Sequence, residues 1–189
     1  SADIILTSGI TGHIMLLAKG YNLGEGNERF IKDRKLDAFI EPAKEYLKNF
    51  PEKIIVPIDL AYEKDGNRQE VNIDTLPINE ICMDIGVKTI EIYKKYILDA
   101  GTIFVNGPAG VYENKLFENG TKSIWNTIAE SKGYSVIGGG DTVSAASRFI
   151  DLEKINYVCT AGGAMVRFLS GVKMPLIESM KKSYSYAYF

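Results

Sequence analysis

The residues of this chain that could do chemistry sit in four short glycine-rich segments: SGITG (8–12), NGPAG (106–110), GGGDT (138–142) and AGG (161–163). One such segment is ordinary turn chemistry. Four in register along one edge are harder to dismiss. Glycine lets an anion approach the backbone, and a helix that follows offers N–H groups carrying partial positive charge. GGGDT says the most. Three glycines beside an acid that opens a helix make a loop able to cradle phosphate oxygens next to a hard-cation ligand. Asp141 could instead be a plain N-cap. The two roles use the same exposed carboxylate, and Mg²⁺ commonly takes one or two protein carboxylates together with substrate phosphates. In NGPAGVYE (106–113), Pro108 fixes one backbone angle between freer glycines. That loop projects Asn106 toward the strand ends and turns Glu113 back over the site, where an amide suits a transferring phosphoryl and a carboxylate suits ribose hydroxyls. A turn ending in a surface Glu is the competing reading.

Other chemistries are excluded by what the sequence lacks. There is no GxxxxGK[ST] motif, and residues 120–123 read GTKS, the wrong order. No GxGxxG with an acid about 20 residues on supports a dinucleotide site. His13 is the single histidine, so no Ser-His-Asp set can form; it is expected to be a packed or surface residue early on a helix. Cys82 and Cys159 lie outside any CxxC and read as free thiols in a reducing cytoplasm. The net charge is −2 with scattered Lys and Arg, leaving no basic stripe for nucleic acid. No apolar run approaches the roughly 18 residues of a membrane span, and no signal peptide is visible. The chain passes from Ser1 straight into apolar DIIL (3–6), an opening expected of a fragment or processed chain.

The segments that must hold these loops alternate in type. Apolar runs at 4–6, 53–57, 102–105, 135–137 and 157–160 have the continuous hydrophobicity of strands buried on both faces. Helical spacing appears at 89–98 (Ile90, Tyr93, Ile97), 123–131 (Ile124 with Ile128, Trp125 with Ala129) and 142–150 (Val143, Ala146, Ile150). Alternation of this kind predicts βαβ units, a parallel sheet and right-handed crossovers. Residues 62–84 differ: EKDGNRQ (63–69) reads as a solvent-exposed turn within an irregular excursion or β-hairpin. With 46% hydrophobic residues in 189, one core and one domain over 1–179 are expected. In the remaining 180–189 tail, SYSYAYF (183–189) alternates aromatics with the period of a strand; disorder and docking remain open for it.

Taken in order, VNGPAGVYE (105–113), GTKSI (120–124), VIGGGDT (136–142) and CTAGGAMVRFLSG (159–171) resemble the nucleotide-binding half of phosphoglycerate kinase. TSGITGHIMLLAKGYNLG (7–24) and IIVPID (54–59) fit as well, and the lysine-rich, unelaborated loops resemble archaeal members more than eukaryotic ones. The resemblance implies a three-layer Rossmann-like domain with a mostly parallel sheet, of the carboxyl-terminal type in that family. It implies phosphoryl transfer between 1,3-bisphosphoglycerate and Mg-ADP, giving ATP and 3-phosphoglycerate, in the cytoplasm. Gly139, Gly140, Asp141 and Thr142 would hold nucleotide phosphates, with Asp141 binding Mg²⁺. Glu113 would contact ribose and Asn106 the transferring end. Gly162 and Gly163 would give N–H groups to the transferring phosphoryl, and Gly9, Met83, Pro108 and Val111 would wall the adenine.

Three departures from the family pattern stand out. Ala161 replaces the first glycine of TGGGA, and Val105 replaces the tryptophan usual before NGP. The amino-terminal domain that holds phosphoglycerate, and a GGAKV-like segment with a phosphate-reaching lysine, are not among the residues. The chain alone is therefore expected to bind nucleotide without catalysing transfer; a non-catalytic or regulatory nucleotide-binding descendant of the fold is the alternative. No nucleic-acid or membrane partner is expected.

Overall fold

Five apolar runs separated by helices meet as parallel ladders. In the computed structural model, which describes residues 2–187, β1 (Ile5–Leu6) pairs with β2 (Ile54–Ile55). Strands β6 (Thr102–Val105), β7 (Tyr134–Gly138) and β8 (Tyr157–Cys159) form a second parallel ladder in that order. The crossovers are α4 (Val87–Asp99), α5 (Asn119–Glu130) and α6 (Gly140–Phe149). Their apolar stripes meet in a core of Ile85, Ile90, Tyr93, Ile97, Ile103, Trp125, Ile128 and Ile137. Leu6 and Ile55 pack on the same core. The Tyr93 hydroxyl donates 2.6 Å to the Thr7 carbonyl, tying α4 to the end of β1.

All three expected helices form, each beginning a few residues earlier than its apolar spacing. For α4 the reason is remote. The Asp59 carboxylate, carried by β3 (Asp59–Lys64), accepts from the Lys88 and Thr89 N–H groups at 2.9 and 2.8 Å. It caps the helix from another element, as a local Asp would.

The expectation that the strands are buried on both faces is only half met. Ile103 and Ile137 face the core, but Phe104, Tyr134, Tyr157 and Val158 are all more than a third exposed on the ladder. Helix α7 (Gly162–Leu169) covers part of this second face through Met165, whose sulfur lies 3.1 Å from where a Cβ on Gly138 would sit. Continuous hydrophobicity in a strand reports both faces as apolar but not whether each is covered.

Of the two readings for residues 62–84, irregular excursion or β-hairpin, the hairpin is the one found within residues 59–85. These residues form an antiparallel sheet, β4 (Asn67–Asn72), β3 and β5 (Cys82–Ile85) in that order. Lys64 pairs with Asn67 across a two-residue turn, Asp65 (φ 52°) and Gly66 (φ 75°), the positive-φ pair that closes tight hairpins. Helices α1 (Gly9–Ala18), α2 (Glu25–Asp33) and α3 (Ile40–Asn49) occupy the stretch before β2. Leu16, Leu23 and Ile31 build a second core there with Leu60, Val71 and Cys82. Both cysteines are free, as expected, Cys82 buried and Cys159 half-buried.

The strand period read in 183–189 is overturned: α8 (Pro175–Ala187) carries that segment as helix as far as residue 187. A helix with Tyr184 67% exposed shows that an every-second-residue aromatic pattern does not by itself impose a strand. The side chains of Tyr186 and Tyr188 lie outside the described residues. No helix among the described residues is long and apolar enough to cross a membrane.

Candidate functional site

The loops leaving the carboxyl ends of β1, β6, β7 and β8 converge. Gly9 (φ +53°) begins α1, and a Cβ there would lie 3.6 Å from the Pro108 carbonyl oxygen. The Gly107 N–H donates 2.7 Å to the Thr142 hydroxyl, and the Gly139 N–H donates 2.9 Å to the Cys159 carbonyl. A Cβ on Gly162 would fall 2.5 Å from the Gly139 Cα and 2.7 Å from its nitrogen. These two glycines pack backbone against backbone, with no room for a side chain. Gly139 itself sits at φ +104°, close to Asn106 Oδ1. The crevice so formed lies outside the strand ends, where open α/β sheets bind ligands.

Gly140 and Gly163 behave oppositely, since a Cβ on either would meet nothing within 4 Å. They face open space at the starts of α6 and α7, and neither helix has a side-chain cap. Their first N–H groups are therefore available to an anion. The N-cap of α6 is Gly139, and Asp141 lies exposed in the first turn. The plain capping role considered for Asp141 is not the one it plays. Ala161, which replaces the first glycine of the family pattern, has φ −86° and ψ 54°. The negative φ means that this position is not in the left-handed region that favours glycine.

On the other side of the crevice, half-buried Met83 on β5 receives the Val111 N–H on its carbonyl at 2.8 Å. Pro108 is half-buried, while Val111 and Glu113 are exposed. Tyr112 stands edge-on to Phe149 (centroids 6.3 Å apart) and under the Arg148 guanidinium, which pairs with Glu118 at 3.3 Å. Its phenol is raised above its ordinary range, first by desolvation and then by the Glu113 and Asp141 carboxylates. Glu113 and Asp141, from different loops, thus share one electrostatic neighbourhood.

Several residues that shape this site were not expected. Thr121, from the GTKS stretch, is buried and accepts from Ala109 and Gly110 N–H groups at 3.2 and 3.3 Å. Thr142, which was expected at the phosphates, is 2% exposed and accepts the Gly107 N–H on its hydroxyl, a tie between two loops that was not expected. Arg68, placed by its neighbours in an exposed turn, points inward. It donates to Asp84 Oδ2 (2.8 Å), the Leu116 carbonyl (2.9 Å) and the Ile85 carbonyl (2.9 Å). Asp84 is fully enclosed; burial, opposed by the Gly120 N–H and Arg68, pushes its carboxyl up to about 6. The D-G turn was a readable signal for the hairpin that delivers Arg68, but nothing local identifies its partner. His13 is 8% exposed, as a packed residue, and burial lowers it to about 4.

Such a fold and crevice define an α/β domain of the Rossmann-like class, with its loop cluster at the carboxyl ends of parallel strands. The family model described as phosphoglycerate kinase matches residues 1–172, and the chain belongs to that family. The phosphoglycerate kinase of Methanococcus maripaludis is 45% identical over 190 residues, covering 97% of this chain and 44% of its own length. That of Methanothermobacter thermautotrophicus is 42% identical over 183 residues with the same coverage. The crystal structure of the Pyrococcus horikoshii phosphoglycerate kinase superposes with a TM-score of 0.89 at 34% identity, over 97% of this chain and 46% of that one. The Coxiella burnetii enzyme gives 0.81 at 33% identity, over 94% and 46%. The chain therefore spans less than half the length of these relatives.

Proposed function

We propose that this chain is the nucleotide-holding part of a phosphoglycerate kinase, which transfers a phosphoryl group between 1,3-bisphosphoglycerate and Mg-ADP. The observation that carries the reading is the backbone contact of Gly139 with Gly162, which brings the uncapped starts of α6 and α7 into one crevice. In this reading the loop Gly139, Gly140, Asp141 and Thr142 holds nucleotide phosphates, with free N–H groups from Gly140 onward because that of Gly139 is spent on Cys159, and the N–H groups of Gly162 and Gly163 receive the transferring phosphoryl. Asn106 lies at the transferring end, Glu113 reaches ribose, and Gly9, Met83, Pro108 and Val111 wall the base. Thr142 contributes by fixing Gly107, and its hydroxyl proton remains to be given to a phosphate. Such a site works by positioning and by fixed dipoles aimed at developing charge.

The donor set suits a cation carried by the substrate. Among the described residues no group of three or more His, Cys, Asp or Glu could hold a metal by itself. One exposed carboxylate beside a phosphate loop is what Mg²⁺ uses when nucleotide phosphates complete its shell, so Asp141 is assigned to it. Bound there, the ion would neutralise phosphate charge.

3-Phosphoglycerate and 1,3-bisphosphoglycerate would be held by an amino-terminal domain, as the family resemblance implies, and the reading places the protein in the cytoplasm. The 189-residue chain alone would bind nucleotide without turnover, because losing substrate positioning removes several orders of magnitude in rate. Calorimetry with Mg-ADP tests the site. Micromolar to millimolar binding that falls at least tenfold in Asp141→Ala is expected; an unchanged isotherm removes Asp141 from the metal role. A normal rate of ATP formation by this chain would overturn the claim that it is inactive alone.

A further inference from the structure

Asp84 is the one side chain among the described residues with a buried polar atom lacking any hydrogen-bond partner, its Oδ1. A carboxylate with no exposed surface and an orphaned oxygen is costly, and a well-packed apolar side chain of similar size would serve stability at least as well. Its surroundings show what it does instead. Oδ1 fills the space where Cβ atoms on Gly110 and Gly120 would sit, the first of them 2.5 Å away. Oδ2 accepts from the Gly120 N–H at 2.8 Å and from Arg68 at 2.8 Å. One carboxylate therefore touches both limbs of the 106–120 loop. Arg68 closes the arrangement by donating to Leu116 on the far limb and to Ile85 on β5, with Glu70 at 3.2 Å behind it.

We propose that Arg68 and Asp84 are a positioning pair for the adenosine end of the site, setting segment 106–113 against β5 without touching the ligand. The inference rests on the nucleotide reading given above. Met83 immediately precedes Asp84, and its carbonyl receives Val111. Sliding β5 against the loop would move Met83, Pro108, Val111 and Glu113 relative to one another. The phosphate-facing loops at 138–142 and 161–163 are held by different means, Gly139 against Gly162 and the Cys159 carbonyl, and make no hydrogen bond to either residue. The pair should govern affinity for adenosine and leave affinity for phosphate alone.

The test is competition calorimetry on the full chain with Mg-ADP, adenosine and Mg-pyrophosphate, for the wild type, Asp84→Asn and Arg68→Gln. Both variants should weaken adenosine and Mg-ADP by five- to twentyfold and leave Mg-pyrophosphate within twofold. Equal loss for all three ligands would mark the pair as merely structural and overturn the proposal, as would unchanged adenosine affinity in a folded variant. A wild-type chain that binds no Mg-ADP would instead sink the nucleotide reading, and this inference with it. If the variants do not fold, the wild type alone decides. Adenosine does not ionise between pH 5 and 8, whereas Asp84, facing Arg68 from β4 (itself paired with Glu70), the Gly120 N–H from α5 and the Ile85 backbone, is raised by burial to about 6. Adenosine affinity should fall as pH drops through that value, and a flat profile would overturn the assignment.

Discussion

Two halves of the same crevice are held by opposite devices. The 106–121 loop is fixed by side chains: Thr142 on Gly107, Thr121 on Ala109 and Gly110, Arg68 on Leu116, and Asp84 on Gly120. The 138–142 and 161–163 loops are fixed chiefly by backbone, with Gly162 lying on Gly139 where a side chain would not fit and the Gly139 N–H on the Cys159 carbonyl. A polar network can be tuned by charge and pH, because each member carries or responds to charge. A glycine contact can only be kept or lost. The division suits the proposed ligand, whose base and ribose need shape while its phosphates need close backbone approach.

The comparison can be broken most severely at Arg68. Arg68→Ala leaves Asp84 buried without its counter-charge and should cost about 3 kcal/mol of stability, read from urea unfolding of the folded chain. The pH dependence of stability sharpens the same half. Asp84, raised to about 6 from 3.8, contributes stability that is full below 3.8 and lost as pH rises through about 6. His13, lowered to about 4 from 6.5, contributes stability that is full above 6.5 and lost as pH falls through about 4. The two oppose each other between those limits. Asp84→Asn should therefore make the chain lose melting temperature more steeply on acidification than wild type, by the equivalent of about 3 kcal/mol.

On the glycine side, Gly162→Ala should cost about 1–2 kcal/mol, because its methyl meets backbone that cannot move aside, and should abolish Mg-ADP binding in calorimetry. Gly140→Ala should change stability by less than about 0.5 kcal/mol, since its Cβ would enter open space. Its methyl would stand where the proposed phosphates lie, so Mg-ADP affinity should still fall about tenfold. Unaltered binding in a stable Gly140→Ala chain would move the phosphates elsewhere.

Much of this was readable in advance. The parallel strands at 102–105, 135–137 and 157–160, the crossover helices between them and the four glycine loops at their ends follow from apolar runs, helical spacing and turn residues. All of these are local in sequence. The covered and uncovered faces of β6–β8 were not readable, because burial depends on which helix lies over which face. The helical course of α8 went against its aromatic alternation. In the candidate site, the convergence of the loops that carry Gly139, Asp141 and Gly162 was signalled by residue type and neighbours, while the ties made by Arg68, Asp84 and Thr121 were not.

What the sequence settled alone was therefore the set of loops and the chemistry of their backbone, since a glycine's freedom and a helix start are properties of adjacent residues. Only the tertiary structure decided how the loops are held. Arg68 and Asp84 are 16 residues apart, Asp84 and Gly120 are 36 apart, and Gly107 and Thr142 are 35 apart. Bonds at such separations exist only once the strands have paired, and each of these side chains, seen in its own segment, has an ordinary surface role to play.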